Sequence, residues 1–167
     1  MDQTVFVVIN GWYTAAPELW ALFDSRSGLA ALVVLCVVLC YFRQQQRWLL
    51  PALIAVSLTD VGVVRVLKPM VGRERPCAVL DRSYGPMDES GPRCGSGAAM
   101  PSAHAANTMA LAAVLGFPEL ALVSVFVGVS RVTTGQHWPS DVLAGWAIGL
   151  ASGSVVRWAL RRFLGWP

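Results

Sequence analysis

Charge is what this sequence has least of. Only 14% of its 167 residues are Asp, Glu, Lys or Arg, against about a quarter in soluble globular domains, and the net charge is +3. There is no long run of like charges, so a nucleic-acid-binding arm is excluded and no nucleic-acid partner is expected. Hydrophobic residues make up 55% and mean hydropathy is +0.54, which excludes disorder and argues against a soluble globular enzyme. A secretory leader is not expected either. Met1-Asp2-Gln3 lacks a positively charged start, and no small-residue cleavage site follows an apolar stretch. The four cysteines divide into two pairs. Cys36 and Cys40 lie in an apolar run. Cys77 and Cys94 flank a polar, Pro/Gly-rich loop and would form a disulfide if that loop faces an oxidising compartment, two free thiols being the alternative.

What is present is apolar helix. A bilayer core of about 30 Å asks for about 20 mainly apolar residues per helix. The cleanest candidate is 28–42, bounded by Arg26 and Arg43; 48–67 follows, with Pro51 in its first turn but Asp60 and Arg65 inside. The long polar loop 69–100 separates the halves. Beyond it, 103–117 and 120–130 form an antiparallel pair around Gly116-Phe117-Pro118-Glu119, and a last span runs over 139–156 to a stop of Arg157, Arg161 and Arg162. Residues 5–23, interrupted by Asn10, Gly11, Thr14, Pro17 and Glu18, read as one or two interfacial helices, with a sixth span as the alternative. The expectation is an all-α, polytopic membrane bundle of five transmembrane helices, forming a single domain over 1–167. The positive-inside rule then puts the long loop and the His137 turn outside, opposite Arg43, Arg47 and the C-terminal arginines.

Ionisable groups at membrane depth suggest a functional site. Here they gather at span ends that share one membrane face: Lys68 and Arg75, then Ser102 and His104, then Arg131, then His137 and Asp141. Lys68, Arg75 and Arg131 supply permanent positive charge for phosphate oxygens, Arg doing so bidentately. Ser102 is a natural N-cap, so the helix beginning at Ala103 would aim N–H groups at the same anion. His137 and Asp141 are four apart, which predicts one helical face and a carboxylate against one ring nitrogen. That leaves His104 as an acid. A zinc site from two His and one Asp is the rival, but three neighbouring cations would repel a dication, so no metal is expected.

Lys68-x6-Arg75-Pro76, Pro101-Ser102-Ala103-His104 and Ser130-Arg131-x5-His137-x3-Asp141 together resemble the three-part signature of the type 2 phosphatidic acid phosphatase (PAP2) superfamily. Ala103 departs from the family's usual glycine. The resemblance implies a metal-independent, cofactor-free lipid phosphatase in a bacterial cell membrane, its active site on the periplasmic or extracellular side. In that pattern His137 attacks phosphorus to give a phosphohistidine, Asp141 orients it, and His104 protonates the leaving oxygen. Lys68, Arg75, Ser102, Arg131 and the N–H of Ala103 would hold the phosphoryl oxygens. Family substrates include phosphatidylglycerol phosphate, phosphatidate, polyprenyl pyrophosphate and lipid A. A non-catalytic phospholipid-binding or transport module using the same anion pocket is the alternative.

Gly145, Gly149 and Gly153 continue the four-residue spacing and permit close helix packing, inside the bundle or, alternatively, in a homodimer. Asp60, eight residues before Lys68, reads as a supporting partner for a site cation or for Arg65. Glu74, Asp81, Asp88 and Glu89 read as solvated loop charges, and Arg73, Arg82 and Arg93 as headgroup or solvent contacts. Most of the seven tryptophans sit near expected interfaces, and none is assigned chemistry.

Overall fold

Proline and glycine punctuate the helices. The structure, a computed structural model, describes residues 2–80, 83–88 and 91–165; the charges expected at Asp81, Arg82 and Glu89, and the aromatic at Trp166, lie outside them. α1 (Asp2–Gly11) passes through a 3-10 turn into α2 (Pro17–Asp24). α3 (Arg26–Phe42) starts on the Ser25 hydroxyl, which accepts from the Gly28 N–H at 3.0 Å. α4 (Leu49–Val61) continues through a π-helical segment, Gly62–Leu67, into α5 (Lys68–Val71), which Gly72 ends at φ +62°. After the single turn α6 (Pro76–Val79), the strands β1 (Met87–Asp88) and β2 (Gly91–Pro92) form a two-residue antiparallel ladder. The helices α7 (Ala103–Leu115), α8 (Pro118–Thr133) and α9 (Pro139–Leu164) complete the chain. Pro17, Pro76, Pro118 and Pro139 sit in first turns, where a missing N–H costs little.

Helices therefore fall where spans were expected: α3, α4 with α5, α7, α8 and α9. Residues 5–23 fold into α1 and α2. Among the described residues, the stretches Gln46–Val79 and Pro139–Phe163 are long and apolar enough to cross a membrane. The outer faces of α3, α4 and α9 carry Val34, Leu50, Leu53, Leu58, Val155 and Phe163, each more than half exposed. Water would not tolerate so large an apolar surface.

α7 is the hub, packed between α9, α8 and α4. It approaches α9 through small residues. A Cβ on Gly145 would stand 2.5 Å from the Ser102 carbonyl oxygen, on Gly149 2.1 Å from that of Ala106, and on Gly153 2.5 Å from that of Ala110. The glycine stripe is thus used inside the chain, where it fixes α9 against the start of α7, and is not free to pair two copies. Gly149→Ala is expected to cost about 1–3 kcal/mol, because the obstacle is backbone that cannot swing aside. Gly62→Ala, with nothing within 4 Å, is expected to be neutral or better. Thermal unfolding in detergent compares the two.

The bundle's other end is basic. Arg43 pairs with Glu119 at 2.6 Å. Arg157, expected as part of a stop after 156, instead lies within α9, which runs on to Leu164. Its guanidinium donates to the Val114 carbonyl at 2.7 Å, satisfying the C-terminal end of α7, and stacks on Trp48.

Candidate active site

The opposite end, where α5, α7, α8 and α9 meet the long loop, gathers the ionisable residues. Gly72 turns the chain out of α5, and the extended segment after it delivers Arg75 inward. Arg75 is 7% exposed, and carbonyls from two loops fix its guanidinium. Nε donates to Gly97 O at 3.2 Å, Nη2 to Ser96 O at 3.4 Å and Nη1 to Gln136 O at 2.9 Å. Cys77 and Cys94 are disulfide-bonded, with Cα atoms 5.7 Å apart, which joins α6 to the loop wall beside Arg75. Gly95 next to the bridge lies close to the site, since a Cβ there would stand 3.0 Å from Gln136 Oε1 and 3.3 Å from the Arg75 guanidinium carbon.

His137 sits in the turn after α8, its backbone N–H bonded to Arg131 O and its ring 1% exposed. Nε2 lies 3.4 Å from Arg75 Nη1. Arginine can only donate, so this contact requires a lone pair on Nε2 and leaves the ring proton on Nδ1, toward Asp141. The expected shared helical face is not what forms. α9 begins at Pro139, so His137 precedes the helix, and Nδ1 stands 3.7 Å from Asp141 Oδ2, an ion-pair distance too long for a hydrogen bond. Asp141 is instead held by its own cap. Oδ2 accepts from the Trp138 N–H at 2.8 Å and Oδ1 from Arg73 Nη1 at 2.8 Å.

Burial, with the charges of Arg131, Arg75 and Lys68, pushes the His137 imidazole from 6.5 down to about 3, against the upward pull of Asp141. It is neutral at physiological pH. The unfolded chain takes up this proton below pH 6.5 and the folded chain only near 3, so the stability involved is present above 6.5 and is lost as pH falls toward 3. The melting temperature of His137→Gln is therefore expected to fall less between pH 7 and 4 than that of the wild type. An equal fall in both would show that burial does not hold His137 neutral.

The remaining expected residues surround this pair. Ser102 occupies the N-cap position of α7, but its side chain makes no capping bond; its N–H bonds to the Asp141 carbonyl at 2.9 Å, and its fully buried Oγ has no hydrogen-bond partner. Ala103 follows as the first residue of α7, among the turn of N–H groups that the helix itself does not use. Arg131 is buried in the last turn of α8. Lys68 begins α5, within electrostatic reach of both imidazoles. Asp60, expected to partner a site cation or Arg65, accepts from Asn107 Nδ2 at 2.7 Å, while its charge acts on Lys68.

His104 stands on a different wall. It is exposed to a cleft of about 310 Å³ lined by Leu22, Phe23, Leu32, Leu35 and Val127, between α2, α3, α7 and α8. The two histidines thus flank one cation cluster, His137 from the closed side and His104 from the apolar, open side.

Sequence reasoning missed four supports. Gln136 accepts from Gly95 N–H at 2.9 Å and donates to the Arg93 carbonyl. Asn10, expected only to interrupt an apolar stretch, is buried; it donates to Thr133 O at 2.8 Å and accepts from Tyr84 N–H at 2.8 Å. Trp138 donates to Glu74 O at 3.0 Å and lies under Arg73. Arg73, expected at solvent or headgroups, bonds Asp2, Ser140 and Asp141. No local pattern names their partners, which are remote in sequence.

Comparison with known proteins places the chain among phosphatases of similar sequence and fold. Decaprenylphosphoryl-5-phosphoribose phosphatase of Mycobacterium tuberculosis is 30% identical over 118 residues, 68% of this chain and 62% of that protein, so the chain spans about three fifths of that relative. Lipid A 1-phosphatase of Porphyromonas gingivalis is 30% identical over 111 residues, 58% of this chain and 20% of that protein. Among solved structures, Aquifex aeolicus LpxE has a TM-score of 0.69 at 24% identity, covering 92% of this chain and 93% of its own. The first transmembrane PAP2 type phosphatidylglycerolphosphate phosphatase from Bacillus subtilis has a TM-score of 0.65 at 22% identity, covering 96% and 88%. At these identities the structures speak for the fold. The PAP2 superfamily model itself matches residues 48–164, all three motifs included, and the chain belongs to that superfamily.

Proposed function

We propose that this protein is an integral membrane phosphatase that removes phosphate from a lipid phosphate monoester or pyrophosphate, without metal, through a phosphohistidine. One observation carries the reading: the cation cluster has a buried, neutral imidazole on one side and an imidazole facing an apolar cleft on the other. A phosphoryl group bound by Lys68, Arg75, Arg131, Ser102 Oγ and the first N–H groups of α7 would have its bridging oxygen toward His104 and its lipid tail in the cleft. His137 Nε2 attacks phosphorus. As the P–N bond forms and the P–O bond breaks, His104 gives its proton to the leaving oxygen. Water, deprotonated by His104, then attacks phosphorus, the P–N bond breaks, and inorganic phosphate leaves with His137 neutral again. Asp141, beside Nδ1, stabilises the charge that His137 carries while phosphorylated.

The same reading gives five spans, α3, α4 with α5, α7, α8 and α9, with α1 and α2 at the interface. Thirteen residues of α7 rise about 20 Å. On this reading the N-terminus of α7 faces the headgroup side of the membrane, where a lipid phosphate resides. The disulfide stands at the site end and Arg43 and Arg157 at the other, which supports a site on the oxidising, extracytoplasmic side of a bacterial cell membrane.

The test is phosphate release by the detergent-purified full chain in EDTA, from phosphatidate, phosphatidylglycerol phosphate, a polyprenyl pyrophosphate, a decaprenylphosphoryl-phosphoribose and lipid A. Release from at least one of them at full rate in EDTA is expected. No release from any, with lipid phosphate still bound, would make the protein a phospholipid-binding module.

A further inference from the structure

Arg73 and Asp2 have no place in the chemistry just described, yet they form the most densely bonded charged cluster beside Asp141. Arg73 Nη1 donates to Asp141 Oδ1 at 2.8 Å and to Ser140 Oγ at 2.6 Å, and Nη2 donates to Asp2 Oδ2 at 2.6 Å. Its face covers Trp138 at 5.2 Å, and its own carbonyl accepts from Ala99 N–H at 2.7 Å. Asp2 also accepts from the Ser140 N–H at 3.1 Å. These bonds engage both terminal nitrogens with partners from the protein itself. Asp141 is completely buried and lies within 4 Å of a neutral imidazole, so it needs a cationic partner that does not compete for substrate.

We infer that Arg73 is a positioning residue for the Asp141–His137 pair, and that Asp2 at the start of α1 holds Arg73 in place. With Oδ1 bound to Arg73 and Oδ2 to the Trp138 N–H, the carboxylate cannot rotate, and it stays behind Nδ1 when His137 takes the phosphoryl group. Asp2 balances the charge of Arg73, so that the pair is not exposed to a further uncompensated cation besides Arg75, Arg131 and Lys68. α1 is pinned for this purpose at both ends. Phe6 packs on Trp138 with ring centroids 5.2 Å apart, and buried Asn10 is bonded to the ends of α8 and the long loop. The N-terminal helix thereby becomes part of the site.

The inference rests on the phosphatase reading, and steady-state kinetics in EDTA on a lipid that the wild type hydrolyses separates the two. Arg73→Ala is expected to lower kcat on the order of 10–100-fold with KM within about twofold, as loss of an outer-shell carboxylate partner does. Arg73→Lys is expected to recover little of it, because a single ammonium nitrogen cannot occupy the two positions from which Nη1 reaches Ser140 and Asp141 and Nη2 reaches Asp2. Asp2→Asn, which leaves the Arg73–Asp141 bond in place, is expected to lose about two- to fivefold in kcat at unchanged KM. A rise in KM at constant kcat would make Arg73 a substrate contact, and a kcat loss that merely follows the folded fraction on melting would make it structural. Either result overturns the inference, as does wild-type kcat in all three variants. Should Arg73→Ala not fold, Arg73→Lys and Asp2→Asn decide it alone. A wild type that releases no phosphate from any lipid defeats the phosphatase reading instead.

Discussion

His137→Ala is expected to lose lipid phosphate hydrolysis almost entirely, by on the order of 10⁴-fold or more in kcat, because the proposed mechanism makes its Nε2 the atom that bonds phosphorus. His137 is 1% exposed, with its Nε2 against Arg75 in the cation cluster. Removing a buried ring also leaves a cavity, with a stability cost of about 2–4 kcal/mol. Melting in detergent must therefore accompany the assay. Lys68, Arg75 and Arg131 remain in the variant, so folded His137→Ala should still bind lipid phosphate, and phosphate-containing lipid should still raise its melting temperature.

The second large effect depends on the leaving group. His104→Ala is expected to lose about 10²–10⁴-fold in kcat on a lipid phosphate, whose alkoxide is a poor leaving group without a proton. On an activated aryl phosphate the first step needs no acid, so the phenolate should leave at nearly the wild-type rate. The second step still lacks its base. The variant should therefore release a burst of about one equivalent of phenolate per chain and then stall. A His104 that only lined the cleft would give equal losses on both substrates and no burst. In the proposed mechanism the cleft walled by Leu22, Phe23, Leu32 and Leu35 would take the lipid tail, which puts the leaving oxygen beside His104.

Legibility in the sequence followed the range of the interactions. The positions of α7, α8 and α9 were readable because Pro101, Gly116, Pro118 and Pro139 punctuate them, and that of α3 because Arg26 and Arg43 bound an uncharged apolar run. The cation and histidine cluster was readable because three motifs carry it at fixed spacing. The role of the glycine stripe was readable in kind, though its partners Ser102, Ala106 and Ala110 emerge only from the packing of α7 on α9. The expected His137–Asp141 helical pair failed for a reason already in the chain: Pro139 favours the first turn of a helix, which places His137 before it and makes Asp141 a cap as well as a partner. Arg73 was misjudged because its partner Asp2 lies 71 residues away. Asn10 likewise finds its partners in Tyr84 and Thr133. Polar residues in an otherwise apolar N-terminal stretch were the signal available, and burial without a partner in lipid would be costly enough to give it meaning.

The covalent intermediate is tested most directly by mixing His104→Ala with an aryl phosphate carrying ³²P, quenching in alkali, and mapping the label to a residue. The expected result is about one label per chain on His137, stable in alkali, lost in acid, and absent when His137→Ala is added to the same chain. Phenolate release at the same rate with no label on His137, or with the label on another residue, would contradict nucleophilic attack by His137.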